Sequence, residues 1–395
     1  MRQNLLWAAV AVGSKFGIVS AKPRLAFQPD GTFHLSIFED LHYGEGEDNP
    51  PSLGWGPISD IKSTRVMNTI LDSEEPDYVV LNGDLITGEN TYLFNSTDYL
   101  DIIVKPLVDR SIPWSSTYGN HDINYNLSTE ALLHKEQTRY GKLSLTRSMV
   151  SAANAGVSNY YLPVYSSKGY SSTPAALLWF FDSKGGKAFQ KLDADGNQIQ
   201  LPGTVDQSVV DWFTSTRDRI SKKYKKTIPS LAFVHIPTYA SAAAQLTASG
   251  INNHTAPGIN DDCCPAATQG IDNAGEYDGS DVPFMQALLD TEGLIAVFSG
   301  HDHGNDWCYK WNSTLNGMGL EGDGLVVCFG RHSGYGGYGS WTRGARQVRL
   351  SEKLIKKGEA ETWVRLEDET VSGWVMLNST YGTDKYPAVN DTMTH

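Results

Sequence analysis

No apolar run in the 395 residues approaches the roughly 20 that a bilayer-spanning helix needs. Cysteine is scarce as well. Cys263, Cys264, Cys308 and Cys328 are the only four, and none stands at CxxC spacing, which argues against a zinc-finger or thioredoxin-type chain. Basic residues are outnumbered, 32 Lys and Arg against 45 Asp and Glu, for a net charge of −13. Binding to nucleic acid or to an anionic membrane through a general basic surface is therefore not expected, because both need cations to release counterions or meet headgroups. A phosphate-bearing ligand would have to find its positive charge locally. No internal repeat is visible. What remains, 40% hydrophobic and 19% charged, is ordinary globular composition, long enough for one large core or two domains.

The N-terminus "MRQNLLWAAVAVGSKFGIVSAKP" sets Arg2 before a short apolar stretch and small residues at Val19 and Ala21. This is the pattern of a secretory signal peptide over 1–21, with the alternatives of a buried helix or an anchor disfavoured by the short run and by Lys15. Residues 22–395 then read as a single domain. Acceptor sequons stand at Asn95, Asn126, Asn253, Asn312, Asn378 and Asn390, which matter only in the secretory pathway. A secreted, glycosylated protein with no stable membrane anchor is expected. Cys308 with Cys328 is the favoured disulfide in such a compartment. Cys263 and Cys264 are left without an assigned pairing, and any of the four could be a buried thiol.

Short β-rich runs alternate with helical patterns. Strands are predicted over 33–40, 77–84, 113–120, 176–183, 230–237, 293–301 and 324–331, and helices over 58–74, 97–110, 208–224 and 283–293. The class is a layered α/β fold. Two excursions interrupt it. Residues 184–204 read as a hairpin turning at Asp195 and Gly196; "DADGNQ" is only superficially a calcium loop, since its glycine comes one position early and no Glu closes it. Residues 238–282 are too long for a passive connection and form a candidate substrate-side loop. The tail after Arg343 returns to strand-like alternation.

Strands buried on both faces carry continuous apolar runs, and open α/β folds place their sites where those strands end. Here every unusual polar cluster follows a strand: D-x-H (Asp40, His42), G-D (Gly83, Asp84), G-N-H-D (119–122), His235, and G-H-x-H (Gly300, His301, His303). Carboxylate oxygens with imidazole nitrogens and no thiolate suit borderline divalent metals such as Zn, Mn or Fe.

Five such blocks in this order resemble the calcineurin-like binuclear metallophosphoesterases, nearest to the purple acid phosphatase-like branch. The resemblance covers residues 40–303 and implies an α/β/β/α sandwich. It also implies a first metal held by Asp40, His42, Asp84 and His303, and a second by Asn120, His235, His301 and the shared Asp84. His121 would stay off the metals, oriented by Asp122, and protonate the leaving oxygen or stabilise charge on phosphorus. Two ions about 3.5–4 Å apart would bridge a hydroxide and clamp an in-line displacement. Set against Asp40, Asp84 and one hydroxide, they leave about one positive charge for a phosphate ester.

One departure stands out: purple members take a tyrosine ligand three residues after the G-D aspartate, where this chain has Thr87. No phenolate colour is expected, and His42 would fill the position. Arg331, behind the last predicted strand, is a candidate phosphate clamp, and Trp307, Trp311, Tyr335, Tyr338 and Trp341 are candidates to line the mouth. The implied activity is hydrolysis of a phosphate ester, mono- or diester, with Arg331 at the site favouring the monoester. Alternatives are an extracellular phosphodiesterase acting on a polyol-phosphate polymer such as teichoic acid or on nucleic acid, a protein phosphatase, and a catalytically silent binding protein.

Overall fold

The strands that are unbroken apolar segments in the sequence lie at the centres of two sheets, where both of their faces are covered. The computed structural model describes residues 23–45, 56–168, 171–272 and 274–390, so the expected leader at 1–21 falls outside the described residues. In chain order the strands are β1 (Thr32–Phe38), β2 (Tyr78–Asn82), β3 (Trp114–Thr117), β4 (Tyr160–Val164), β5 (Ala176–Phe181), β6 (Lys187–Leu192), β7 (Gln198–Gln200), β8 (Ser230–Val234), β9 (Leu294–Ser299), β10 (Cys308–Trp311), β11 (Leu325–Phe329), β12 (Gly344–Ser351), β13 (Ala360–Leu366) and β14 (Val371–Leu377). The helices are α1 (Gly56–Glu74), α2 (Tyr99–Arg110), α3 (Thr129–Arg139), α4 (Gln207–Tyr224), α5 (Tyr239–Gln245) and α6 (Val282–Leu289). None of the described helices is long and apolar enough to cross a membrane.

One sheet has the order β14-β13-β12-β1-β2-β3 and the other β10-β11-β9-β8-β5-β4. β1, β2 and β3 run parallel, as do β5, β8, β9 and β11. The remaining strands of the sheets pair antiparallel toward the edges.

The two sheets meet face to face. Leu35, Ile37 and Val80 of the first join Phe180, Phe233 and Phe298 of the second in one buried cluster, with the three phenyl rings stacked at 5.1 and 5.7 Å. The opposite face of β2, Val79 and Leu81, packs against Val66, Met67 and Ile70 of α1 and Ile103 and Val104 of α2. On the far side Phe181 meets Phe213 of α4 and Phe284 of α6 edge-on. Period-two alternation therefore sends successive residues of β2 into two different apolar layers, which is why its sequence shows no polar face. Each such side chain contributes about 1.5–3 kcal/mol on burial. The result is the expected α/β/β/α layering.

The seven predicted central strands, the four helices and the hairpin β6–β7 around Asp195 and Gly196 are all present. Additional elements are β4, β10, β14, α3 and α5. β4 contains Pro163, which a sheet accommodates on an edge, and β4 is the last strand of its sheet. α3 buries only Leu132 among its large apolar residues, too little to show as a periodic stripe.

Cys308 and Cys328 sit opposite each other across β10 and β11 and are bonded, as favoured; Cys263 is bonded to Cys264. Of the sequon asparagines, Asn312 and Asn390 are exposed and Asn95 and Asn378 half-buried. Asn126 and Asn253 each donate a side-chain N–H to a backbone carbonyl, of Thr91 and Val389.

Candidate metal centre

The parallel strands of both sheets end at the same edge, and their polar ends converge there. β1 delivers Asp40 and His42, β2 Asp84, β3 Asn120, β8 His235, and β9 His301 and His303. Four of these seven residues, Asp40 (φ 54°), His42 (49°), Asp84 (50°) and His301 (76°), hold left-handed backbone without being glycine. Such strain of about 1–3 kcal/mol per residue persists where the surrounding structure over-determines a site. The motif glycines are sterically required: a Cβ on Gly119 would strike the Asp84 carboxylate, and one on Gly83 the His235 ring.

Two groups of donors result. Asp40, His42 and His303 present ligand atoms within 4.8 Å of one another, and so do Asp84, His235 and His301. Asp84 stands between the groups, its Oδ2 3.0 Å from His235 Nε2 and 3.8 Å from His42 Nε2. All except His301 are almost fully buried.

The rings are aimed by their outer nitrogens. His235 Nδ1 lies 2.9 Å from the carbonyl of Asn82 and His303 Nδ1 2.9 Å from that of Tyr338, so each presents Nε2 inward. His42 Nδ1 contacts Thr87 Oγ1 at 3.1 Å, and Thr87 in turn donates to Glu45 at 2.5 Å. Holding a metal-facing histidine through its second nitrogen is the usual way of fixing its tautomer. Thr87 at the tyrosine position is thus a support for His42.

The donor set fits a cation. Asn120 Oδ1 and His301 Nδ1 are buried with no hydrogen-bond partner, an arrangement that costs about 1–3 kcal/mol per group unless something binds there, and the buried His235 Nε2 has the Asp84 carboxylate beside it at 3.0 Å. Burial and the neighbouring His235 press the His301 imidazole down to about 4, and burial and His121 hold that of His42 well below its usual range, leaving both lone pairs free at neutral pH. Burial alone would raise the Asp84 carboxyl, but His235, His121 and His42 hold it well below the carboxylate range.

His121 lies beside the donors, its ring 4.9 Å from that of His42 and its backbone N–H donating to Asp84 Oδ1 at 2.8 Å. Asp122 does not orient it, contrary to expectation. The Asp122 carboxylate is fully buried and accepts from the backbone N–H groups of Leu85, Ile86 and Gly119, each at 2.9 Å. It fastens the loop after β2 to the loop after β3. The carboxylate on the His121 ring is Glu89, with Oε1 2.5 Å from Nδ1. Burial works against the imidazolium, but Asp84 and Glu89 raise its pKa to about 9. No motif spacing announces Glu89; its place depends on a contact between two loops.

Arg331 is also corrected. It is 0% exposed, its guanidinium bonded to Asp306 at 2.8 Å and to the Thr342 carbonyl at 2.9 Å, so it is an interior ion pair and no phosphate clamp. Its neighbour His332 packs against His303 at a tilt of 38°, 3.8 Å between centroids, backing that ring.

The donors open into a cleft of about 410 Å³ lined by His42, Asp84, His121, His301 and His303 at its base and by Glu45, Glu89, Ala267, Asp302, Gly337 and Tyr338 around them. Ala267 comes from the 238–282 excursion. Of the five candidate mouth aromatics only Tyr338 lines the cleft: Trp307 and Trp311 are core, Tyr335 bonds Glu367, and Trp341 bonds Asp261. No Lys or Arg is among the described residues that line it.

Residues 40–305, more than half of the chain, match the family model of the calcineurin-like phosphoesterases. The chain belongs to that family. Probable inactive purple acid phosphatase 14 of Arabidopsis thaliana is 26% identical over 88% of this chain and 84% of its own length. Phosphatase DCR2 of Saccharomyces cerevisiae is 27% identical over 87% of this chain, which spans about half (55%) of that protein. A dimetal phosphatase of Danio rerio covers 88% of this chain and 98% of its own at 14% identity, with a TM-score of 0.49. Family and donor groups together make this member a metal-dependent phosphoester hydrolase with a dimetal centre.

Proposed function

We propose that Asp40, His42 and His303 hold one divalent transition-metal ion (Zn, Mn or Fe), that Asn120, His235 and His301 hold a second, and that Asp84 is shared. The observation that carries this reading is the pair of donor groups, Asp40 with His42 and His303 and Asp84 with His235 and His301, together with the buried, unpartnered atoms Asn120 Oδ1 and His301 Nδ1. When bound, two such ions supply a Lewis-acid pair that activates water and offsets charge at phosphorus. The chain's own residues do the rest. The strained strand ends fix the donors, the buried walls around them lower the local dielectric, and His121 presents an imidazolium beside them. As the oxygen of water bonds to phosphorus, its proton passing to solvent, the ester P–O bond breaks, and His121 gives its Nε2 proton to the departing oxygen and recovers one from solvent.

With Arg331 removed from the cleft, His121 is the one cationic side chain among the described residues that line it, beside the ions. Glu45 and Glu89 make the walls acidic. That balance supports a substrate with a single reacting phosphate and no further anionic groups, a diester monoanion better than a monoester dianion. His121→Asn should lower turnover about 100- to 10,000-fold for alkyl esters and much less for nitrophenyl esters, with metal content unchanged. A variant that loses metal would make His121 a ligand instead. Assay of mono- and diesters of one alcohol decides the substrate class, with faster monoester turnover contradicting the diester reading.

Three relatives in Arabidopsis thaliana, purple acid phosphatases 14, 28 and 29, are named as probable inactive, so a silent binding protein is the second reading. The complete donor set and His121 weigh against it, and the same assay tests it. A secreted, glycosylated setting is a further part of the proposal, supported by the bonded Cys308–Cys328 pair and the exposed sequons at Asn312 and Asn390. Mass spectrometry of protein from its native host should find glycans there; bare asparagines would refute it.

A further inference from the structure

The turn that follows β2 carries a carboxylate against the ring of His121, and the surrounding bonds hold it there. The backbone N–H of Gly88 donates to the His121 carbonyl at 3.1 Å, and a Cβ on Gly88 would run into that same oxygen at 2.6 Å. These contacts bring the 88–90 turn onto the loop after β3. Asn124 Nδ2 then donates to Glu89 Oε2 at 3.2 Å, turning Oε1 toward His121 Nδ1, 2.5 Å away. The two carboxylates nearest in sequence or space are otherwise engaged: Asp122 by three backbone N–H groups, and Asp84 Oδ1 by the His121 backbone rather than its ring. The side chains of His121 and Glu89 are 34% and 39% exposed, at the cleft surface where a substrate would meet them.

We propose that Glu89 is a positioning residue for His121, taking its Nδ1–H so that Nε2 carries the proton directed at the leaving oxygen. The inference rests on the role given to His121 above. Without Glu89 the imidazolium can turn about its side-chain bonds, and an Nε2–H aimed elsewhere cannot reach the departing oxygen. With it, the bond from Nδ1 persists through the reaction. As the P–O bond breaks, the Nε2 proton passes to the alkoxide, and the neutral imidazole stays bound to Glu89 until solvent restores the proton.

The test is a double-variant cycle on the metal-loaded enzyme, read as kcat and KM for an alkyl and a nitrophenyl ester of the same phosphate, with metal content measured alongside. E89A should lower kcat for the alkyl ester by about 10- to 100-fold, the usual effect of removing a partner that orients a functional histidine, with KM and metal content held. The nitrophenyl ester should suffer less, and E89D should recover part of the loss. On an H121N background E89A should add nothing, because the group it orients is gone. Losses that multiply in the double variant, fall equally on both esters or accompany metal loss would overturn the inference. An H121N protein with full alkyl-ester turnover would overturn the reading beneath it and the inference together.

Discussion

The two donor groups are built from the same residue types and sit side by side, yet they are finished differently. In the group of Asp40, His42 and His303, both rings have an outer partner, and their Nε2 atoms lie 3.2 Å apart in mutual contact. In the group of Asp84, His235 and His301, with Asn120 adjoining, His235 Nε2 meets only the Asp84 carboxylate at 3.0 Å, and two buried atoms, Asn120 Oδ1 and His301 Nδ1, meet nothing. Left-handed backbone fixes both groups, at Asp40 and His42 in the first and at Asp84 and His301 in the second, and His235 is also held from behind by the Asn82 carbonyl; the second group differs in keeping ligand atoms with no protein partner, which an ion would complete. Support from behind and an over-determined chain thus act together in both groups, and the difference between them is how many ligand atoms are left for an ion.

Asp84 is where the comparison can be broken most completely, because it touches both groups. Asp84→Ala should empty both positions and bring turnover to background, measured by elemental analysis and phosphate release on the same sample. If one ion per chain survived with the first group intact, the sharing of Asp84 would be wrong. Thr87→Val sharpens the contrast, since Thr87 supports only the first group. Loss of its contact with His42 should weaken one of two ion affinities by about 10- to 100-fold, seen as a split in a metal titration, while the second affinity stays as it was. Equal weakening of both would mean that the groups are not independent. Asp206→Ala is the small-effect control, outside the lining of the cleft. It removes the N-cap of α4, where Asp206 accepts from the N–H of Ser208 at 3.0 Å, and should cost about 1 kcal/mol in denaturant unfolding without moving either affinity.

Much of the centre was legible because parallel strands that alternate between two apolar layers have nowhere to put polar residues except their ends. Asp40, His42, Asp84, Asn120, His235, His301 and His303 all sit at such ends, so order along the chain was enough to anticipate that they meet. What was not legible depends on direction. Asp122 follows His121 in sequence, yet its side chain turns back to the loop after β2, and the carboxylate that reaches the ring comes from Glu89, 32 positions earlier in the chain. Arg331 also follows a strand, but its side chain turns inward to Asp306, a partner that spacing does not reveal. β4 was hidden by Pro163, which signals a break unless the strand is known to be an edge.

The central claim is that this chain binds two ions through these donors and hydrolyses a phosphate ester with them. Stripping the purified protein with a chelator, then titrating Zn, Mn or Fe while following phosphoester cleavage, tests it most directly. The account predicts that cleavage disappears on stripping and returns in full only as occupancy reaches two ions per chain. Saturation at a single ion, or two bound ions without cleavage of any mono- or diester, would contradict it.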